Sequence, residues 1–290
     1  MTDSNRFLNG LRLILMGLTL SASVILGAPK TLDLAKQIKL NTQPPSLRQG
    51  EVLVLKLPST AQAWFNNKSL FIGTDGTAII GLHRDDTAAT LRIVHDSSEQ
   101  IINFPVIKRD YRIERIDGLP PAKVTPPMDP AVRKRIQTEA ANIREARKLT
   151  DDRRDFTAGF IWPVEGRISG VYGSQRVLNG VPKTPHYGVD VAVPTGTIIV
   201  APAAGVVTYV NDDMYYSGGT LVLDHGHGLS SAFLHLSKID VRVGEVIQQG
   251  QPIAQVGATG RATGPHLDWR MNWGTSVRID PQLLVPPMQK

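Results

Sequence analysis

Glycine and proline interrupt this chain so often that strands and turns are the only extended elements most of it can form. The 290 residues hold 26 Gly and 20 Pro. Gly weakens helix and strand interiors, and Pro removes a backbone donor. Between Leu32 and Ile116 the runs are short and alternating. Glu51 to Leu57 alternates and is cut by Pro58, and Ser69 to Ile72 leads into the turn Gly73-Thr-Asp-Gly76. Thr77 to Ile80 ends at Gly81, and Thr90 to Val94 and Gln100 to Ile107 follow. Short strands at this spacing predict a β-sandwich-like module over residues 32–116. It offers no chemistry of its own and reads as a binding, spacing or shielding module. His83 and His95 are expected at its surface.

Residues 117–158 read as a Pro-rich linker and a helix. Pro120-Pro121 and Pro126-Pro127 mark a boundary. Asp129-Pro130 supplies an N-cap and a first-turn proline, so a helix is expected from roughly Pro130 to Leu149. Val132, Ile136, Ala140 and Ile143 follow helical spacing and should face the protein. Arg133, Lys134, Arg135, Arg144, Arg147 and Lys148 make the rest basic, as a solvated linker would be, or as contact with an anionic polymer would need.

From residue 159 to 284 the chain turns strand-rich again. Gly196 to Val210 reads as two strands around a tight turn, and Thr220 to Asp224 pairs with Leu229 to Leu236 across Gly226-His-Gly228. Gly244 to Gly257 reads as a strand pair round Gln249-Gly250. The overall expectation is a mainly β protein ending in an antiparallel β domain.

The N-terminus points outside the cytoplasm. Arg6 and Arg12 precede an apolar run from Leu13 to Ala28, closed by Pro29 and Lys30. A positive start and a short apolar segment read as a secretory signal or an N-terminal anchor over residues 1–28. A tether through residues 13–28 would place the protein in the periplasm or cell envelope. The net charge of +6 and pI of about 9.6 favour anionic neighbours without choosing among them. There is no cysteine. Thiolate metal sites are excluded, and any metal must use His, Asp, Glu or backbone oxygen.

Five of the seven histidines fall after residue 159. On a strand, residues two apart share a face. His266 and Asp268 should therefore project side by side, with Leu267 turned into the core. In His186-Tyr-Gly-Val-Asp190, Pro185, Gly188, Val189, Val191 and Pro194 argue for a strand. His186, Gly188 and Asp190 then share a face, and Gly188 leaves room between the other two. His235 lies in an apolar strand, where a satisfied core histidine is the ordinary reading. His225 and His227 sit in a Gly-rich turn and are expected to be exposed.

Taken in order, these segments resemble the lysostaphin/LytM-type zinc metallopeptidases, which cut peptidoglycan cross-bridges. The resemblance covers about Gly159 to Pro281. It rests on Ile168-Ser-Gly-Val-Tyr-Gly-Ser-Gln-Arg176, His186-Tyr-Gly-Val-Asp190, Val200-Ala-Pro-Ala-Ala-Gly-Val-Val207 and Leu223-Asp-His-Gly-His-Gly228. It continues through Leu234-His-Leu-Ser237, Val243-Gly-Glu-Val246, Gly257-Ala-Thr-Gly260 and Thr263-Gly-Pro-His266. The resemblance implies a duplicated-hybrid-motif-like domain at 159–284 and a single Zn2+ held by His186, Asp190 and the position of Asp268. His235 and His266 would handle water, proton and developing charge. The family has a third His where this chain has Asp268. Zinc accepts carboxylate oxygen at nearly the same distance as imidazole nitrogen. A second carboxylate would make the ion a weaker Lewis acid and tilt the site toward Mn2+ or another hard divalent ion. Asp268→His should then keep or raise metal affinity.

The expected function is hydrolysis of peptide cross-bridges in bacterial peptidoglycan by metal-activated water, with Arg176 and Tyr187 lining the substrate groove. The alternative is a non-catalytic LytM domain that binds cell wall or regulates another wall hydrolase. A third class, a lipoyl- or biotin-type carrier, would need a Lys where Gln248, Gln249 and Gly250 stand. Peptidoglycan peptides are the expected partners, with other wall enzymes beside them and no nucleic acid.

Overall fold

The computed structural model describes residues 28–35, 43–120 and 129–288. The signal or anchor read over residues 1–28 lies outside them except for Ala28, as do Pro121, Pro126 and Pro127. No described helix is long and apolar enough to cross a membrane.

The N-terminal module is two small sheets facing one another, with a third, two-stranded parallel pair of Leu47–Arg48 and Val106–Ile107 beside them. One pairs Lys30–Asp33 with Val52–Lys56 in parallel and Val52–Lys56 with Thr77–Gly81 antiparallel. The other runs in the order Lys68–Ser69, Gln62–Phe65, Thr90–His95 and Ser98–Asn103. Leu53, Leu55, Phe65, Ile80, Leu91 and Ile93 fill the space between them. The alternate residues Val52, Val54 and Ile79 point the other way and join the core of the C-terminal domain. This explains why Val52–Lys56 is apolar on both faces. The strand is buried from two sides, so the half-exposed alternation of an outer strand is absent.

The C-terminal domain is built on one antiparallel sheet of ten strands. Seven of them, Arg167–Gly170, Gly188–Ala192, Leu267–Trp273, Leu229–Ile239, Gly218–Asp224, Gly205–Met214 and Val246–Ile247, lie in that order, and Val277–Ile279 branches off by pairing with Leu267–Trp273. Gly218–Asp224 and Leu229–Ile239 pair as the turn predicted. The other two expected hairpins do not close on themselves. Ile198–Val200 pairs with Pro252–Val256, and Gly205–Met214 with Gly218–Asp224 and Val246–Ile247. Local turns brought those strands close in sequence, but the better partners came from elsewhere in the chain. Ile113–Ile116 likewise pairs in parallel with Gln175–Leu178 of the C-terminal half.

The helix spans Pro130–Ala146, and Asp129 accepts hydrogen bonds from the amides of Ala131 and Val132. It ends three residues before the expected Leu149. Val132, Ile136 and Ile143 are half-buried, as their spacing predicted, whereas Ala140 is exposed. The helix is docked on the sheet: the Glu139 carboxylate accepts from the Tyr215 amide at 3.0 and 3.1 Å, and Ile143 packs on Val222, Ala232 and Leu234.

Two expected surface histidines are instead inside. His225 and His227 are 0% and 3% exposed. Gly226 and Gly228 take positive φ and fold the turn down onto Phe156 and Phe160. His225 Nδ1–H donates to the Ala204 carbonyl at 2.7 Å, and its Nε2 accepts from Ser231 Oγ at 2.8 Å. Burial pushes its pKa down to about 4, so it stays neutral at physiological pH. His83 is only partly exposed and packs on Tyr187, ring centroids 5.3 Å apart.

Leu267 is 0% exposed, between two residues that face the other way. Leu267→Ala should lower folding stability by about 2–5 kcal/mol, the usual cost of an emptied core site. Chemical denaturation of the two proteins measures it.

Candidate metal centre

The Gly188–Ala192 strand lies antiparallel to Leu267–Trp273, and Asp190 stands directly opposite Asp268. Residues paired in this way share a face, so both carboxylates leave the sheet on the same side. His186, just before the first strand, reaches the same point. One ligand atom from each of His186, Asp190 and Asp268 lies within 4.8 Å of the others. They are the group of this kind found among the described residues.

Two glycines make the convergence possible. A Cβ on Gly188 would sit 2.6 Å from Asp268 Oδ1, and one on Gly170 would sit 2.2 Å from Asp190 Oδ2. Either would push a carboxylate out of the cluster.

The donor set fits a divalent cation. His186 Nε2 and Asp190 Oδ1 are 3.1 Å apart, but they are not aligned as a hydrogen bond, and each buried atom lacks any such partner. Buried polar atoms are normally satisfied. Two orphans beside the second inward carboxylate, Asp268, are what a cation would satisfy, and imidazole plus carboxylate oxygen is a donor set that zinc and harder divalent ions accept.

Arg270 alters the electrostatics. It follows Asp268 by two residues and so lies on the same face. Its Nε donates to both Asp268 oxygens at 3.0 Å, and its Nη2 donates to Oδ2 at 2.5 Å. Burial opposes ionisation of Asp268, but Arg270, with smaller help from His186 and His235, outweighs it and holds the pKa below the usual carboxylate value. A His, Asp, His set carries one negative charge. Here Asp268 adds a second and Arg270 cancels it. The strand periodicity that pairs His266 with Asp268 also reaches Arg270, so the signal for this residue was present in the sequence.

His235 and His266 stand beside the cluster, ring centroids 4.8 Å apart. His235 has a φ of +64°, uncommon for a residue with a side chain. The pairing of its strand shifts register here, between Phe233 and Leu236. A bulge of this kind re-aims a side chain, and its local strain is typical of functional sites. Nδ1 of His235 lies 2.8 Å from the Thr259 carbonyl, and Nδ1 of His266 lies 2.8 Å from the Gly264 carbonyl. A carbonyl only accepts, so in each ring Nδ1 carries the proton and Nε2 keeps its lone pair. Burial lowers the His235 pKa, partly offset by that carbonyl and by Asp268.

Arg176 and Tyr187, the residues expected along the groove, each have neighbours in the described structure. Arg176 is exposed and paired with Glu114 at 3.2 Å. Tyr187 packs among His83, Tyr172 and Arg278.

Residues 184–281 match the model of peptidase family M23. The C-terminal domain is an M23 peptidase domain. A crystal structure from Pseudomonas aeruginosa, described as a candidate M23 peptidase, covers 84% of this chain and 96% of its own at 29% identity and a TM-score of 0.63. The peptidoglycan DD-endopeptidase ShyA of Vibrio cholerae is 40% identical over 114 residues, 38% of this chain and 26% of ShyA. The cell division protein DipM of Caulobacter vibrioides is 27% identical over 168 residues, 56% of this chain and 26% of DipM. The chain thus spans about a quarter of the length of these curated relatives. The M23 domain is the LytM-type metallopeptidase domain that the motifs resembled.

Arg270 corrects the expectation for Asp268→His. That change alone strips a largely buried guanidinium of its carboxylate, and breaking a buried pair costs about 3–5 kcal/mol. Asp268→His should lower the melting temperature and fail to raise metal affinity. Asp268→His combined with Arg270→Met should recover both, as thermal denaturation and zinc titration by calorimetry would record.

Proposed function

We propose that this protein is an exported metallo-endopeptidase that hydrolyses peptide cross-bridges of bacterial peptidoglycan. The convergence of His186, Asp190 and Asp268, with two orphaned ligand atoms, carries the reading. The DD-endopeptidase activity named for ShyA supports the substrate class. His186, Asp190 and Asp268 would hold one Zn2+, with Mn2+ as the alternative that the second carboxylate favours. The bound ion would supply Lewis acidity and acidify a water molecule.

The chain's own residues supply the rest. The Nε2 lone pair of one of the paired histidines, His235 or His266, accepts the proton of the attacking water. The other, when protonated on Nε2, donates from that nitrogen to the oxyanion as charge develops on the scissile carbonyl. Their carbonyl-fixed tautomers place the free nitrogens without reorganisation at the moment of reaction. Arg270 holds the Asp268 carboxylate in place through both of its oxygens. The apolar run 13–28 would serve as export signal or tether, and the module at 32–116 would space or shield the domain and meet other wall enzymes.

Digestion of purified wall fragments by the metal-loaded protein and by His186→Ala, with products identified by mass, tests this reading. New peptide termini are expected from the first and none from the second; identical products would reject the assigned cleft. Burial favours neutral His235, so with His235 as the base the accepting nitrogen stays unprotonated to lower pH. At saturating metal, the acid limb of kcat/KM should fall below pH 6.5.

A further inference from the structure

A cleft of about 490 Å³ opens beside the metal centre, with His235 and Arg270 in its wall. Arg144, Arg147, Arg261 and Arg278 also line it, and no carboxylate does. The helix supplies one wall through Ile143, Arg144 and the capping Arg147. The M23 sheet supplies the floor through Ala232 and Leu234.

Arg147 is the telling residue. It is 5% exposed, its Nε has no hydrogen-bond partner, and no carboxylate pairs with it among the described residues. The charges nearest to it are Arg278 and Arg270, both of the same sign. Arg278 is spoken for in part, since its Nη1 donates to Asn272 Oδ1 at 3.0 Å. A guanidinium without a partner is costly to bury. Its persistence beside two more cations makes sense if an anion enters the cleft. Guanidinium matches a carboxylate in two-point geometry. The apolar surface of Ile143, Ala232 and Leu234 suits the aliphatic part of a peptide more than a bare phosphate.

We infer that this arginine-lined cleft is a carboxylate subsite that binds a free carboxyl group of the peptide substrate next to the bond being cut. The inference deepens the peptidase reading and rests on it for the identity of the substrate. It also gives the basic helix a role that its sequence left open between solvated linker and anion contact. The carboxyl group is held by Arg147, with Arg278 and Arg144 adding to the field.

The test uses the full chain and two fluorescent cross-linked stem peptides. One has a free carboxylate on the residue beside the scissile amide, and the other has a carboxamide there. Binding is read by anisotropy without metal, and kcat/KM with metal. The free acid should be preferred by roughly tenfold to a hundredfold in both measurements, the range of a charged hydrogen bond. Arg147→Met should bring that ratio close to one, and Arg147→Lys should keep part of it. Arg147→Met should also melt no lower than the wild type, because it removes an unpaired buried charge.

A wild-type ratio near one overturns the subsite. So does an Arg147→Met protein that melts lower yet keeps the ratio, which would assign Arg147 to packing. Displacement of the free-acid peptide by inorganic phosphate at lower concentration than by acetate would also overturn it, in favour of a phosphate site. If the wild type prefers the free acid in binding but cleaves neither peptide, the peptidase reading fails and the subsite stands. If it cleaves both equally, the reverse holds.

Discussion

Two carboxylates, Asp190 and Asp268, face each other across neighbouring antiparallel strands. Like charges in that position repel. At the 4.8 Å limit of the cluster, an effective dielectric constant of about 20 makes the repulsion roughly 3 kcal/mol. The fold tolerates the pair because three features surround it. Arg270 grips Asp268, His186 approaches Asp190, and a place between them suits a cation. Glycines at 170 and 188 keep the space open. The strands thus place charges that stabilise the protein little by themselves and become favourable when the site is filled.

That arrangement needs a stiff frame, and the frame extends beyond the M23 domain. Val52, Val54 and Ile79 of the N-terminal module share a core with Val189, Leu267 and Trp269 of the strands that carry the site. Polar contacts add to this seam. Arg84 donates to the Gly173 carbonyl at 2.7 Å, and Arg109 pairs with the buried Asp280 at 2.7 Å. His83 rests on Tyr187, the neighbour of His186. Changes in the N-terminal module can therefore reach the metal centre through packed side chains. The helix closes the other side and brings Arg147 to the cleft.

Much of this was legible in the residues. Period-two spacing put His186 with Asp190 and His266 with Asp268, and it turned Leu267 inward. Asp129-Pro130 marked the start of the helix. The motif order pointed to the M23 fold. The errors have a common cause, because each concerned what a segment meets after folding. The glycines around His225 and His227 suggest an exposed turn, yet they fold it onto an aromatic core. The turns in Gly196 to Val210 and Gly244 to Gly257 suggest local strand pairs, but each strand pairs with one from elsewhere in the chain. Arg270 shares the same period-two face, yet spacing alone does not tell a guanidinium that grips Asp268 from one that faces solvent.

By itself the sequence determined which residues alternate on a strand, where turns and the helix begin, and which side chains can bind a metal, since these follow from backbone geometry and functional-group chemistry within a few residues. Only the tertiary structure decided that Asp190 stands opposite Asp268, that Arg270 offsets the added charge, and that Arg147 is buried with no acid to meet it. Those outcomes depend on register between distant strands and on the docking of a helix, and both are fixed by packing across the whole chain.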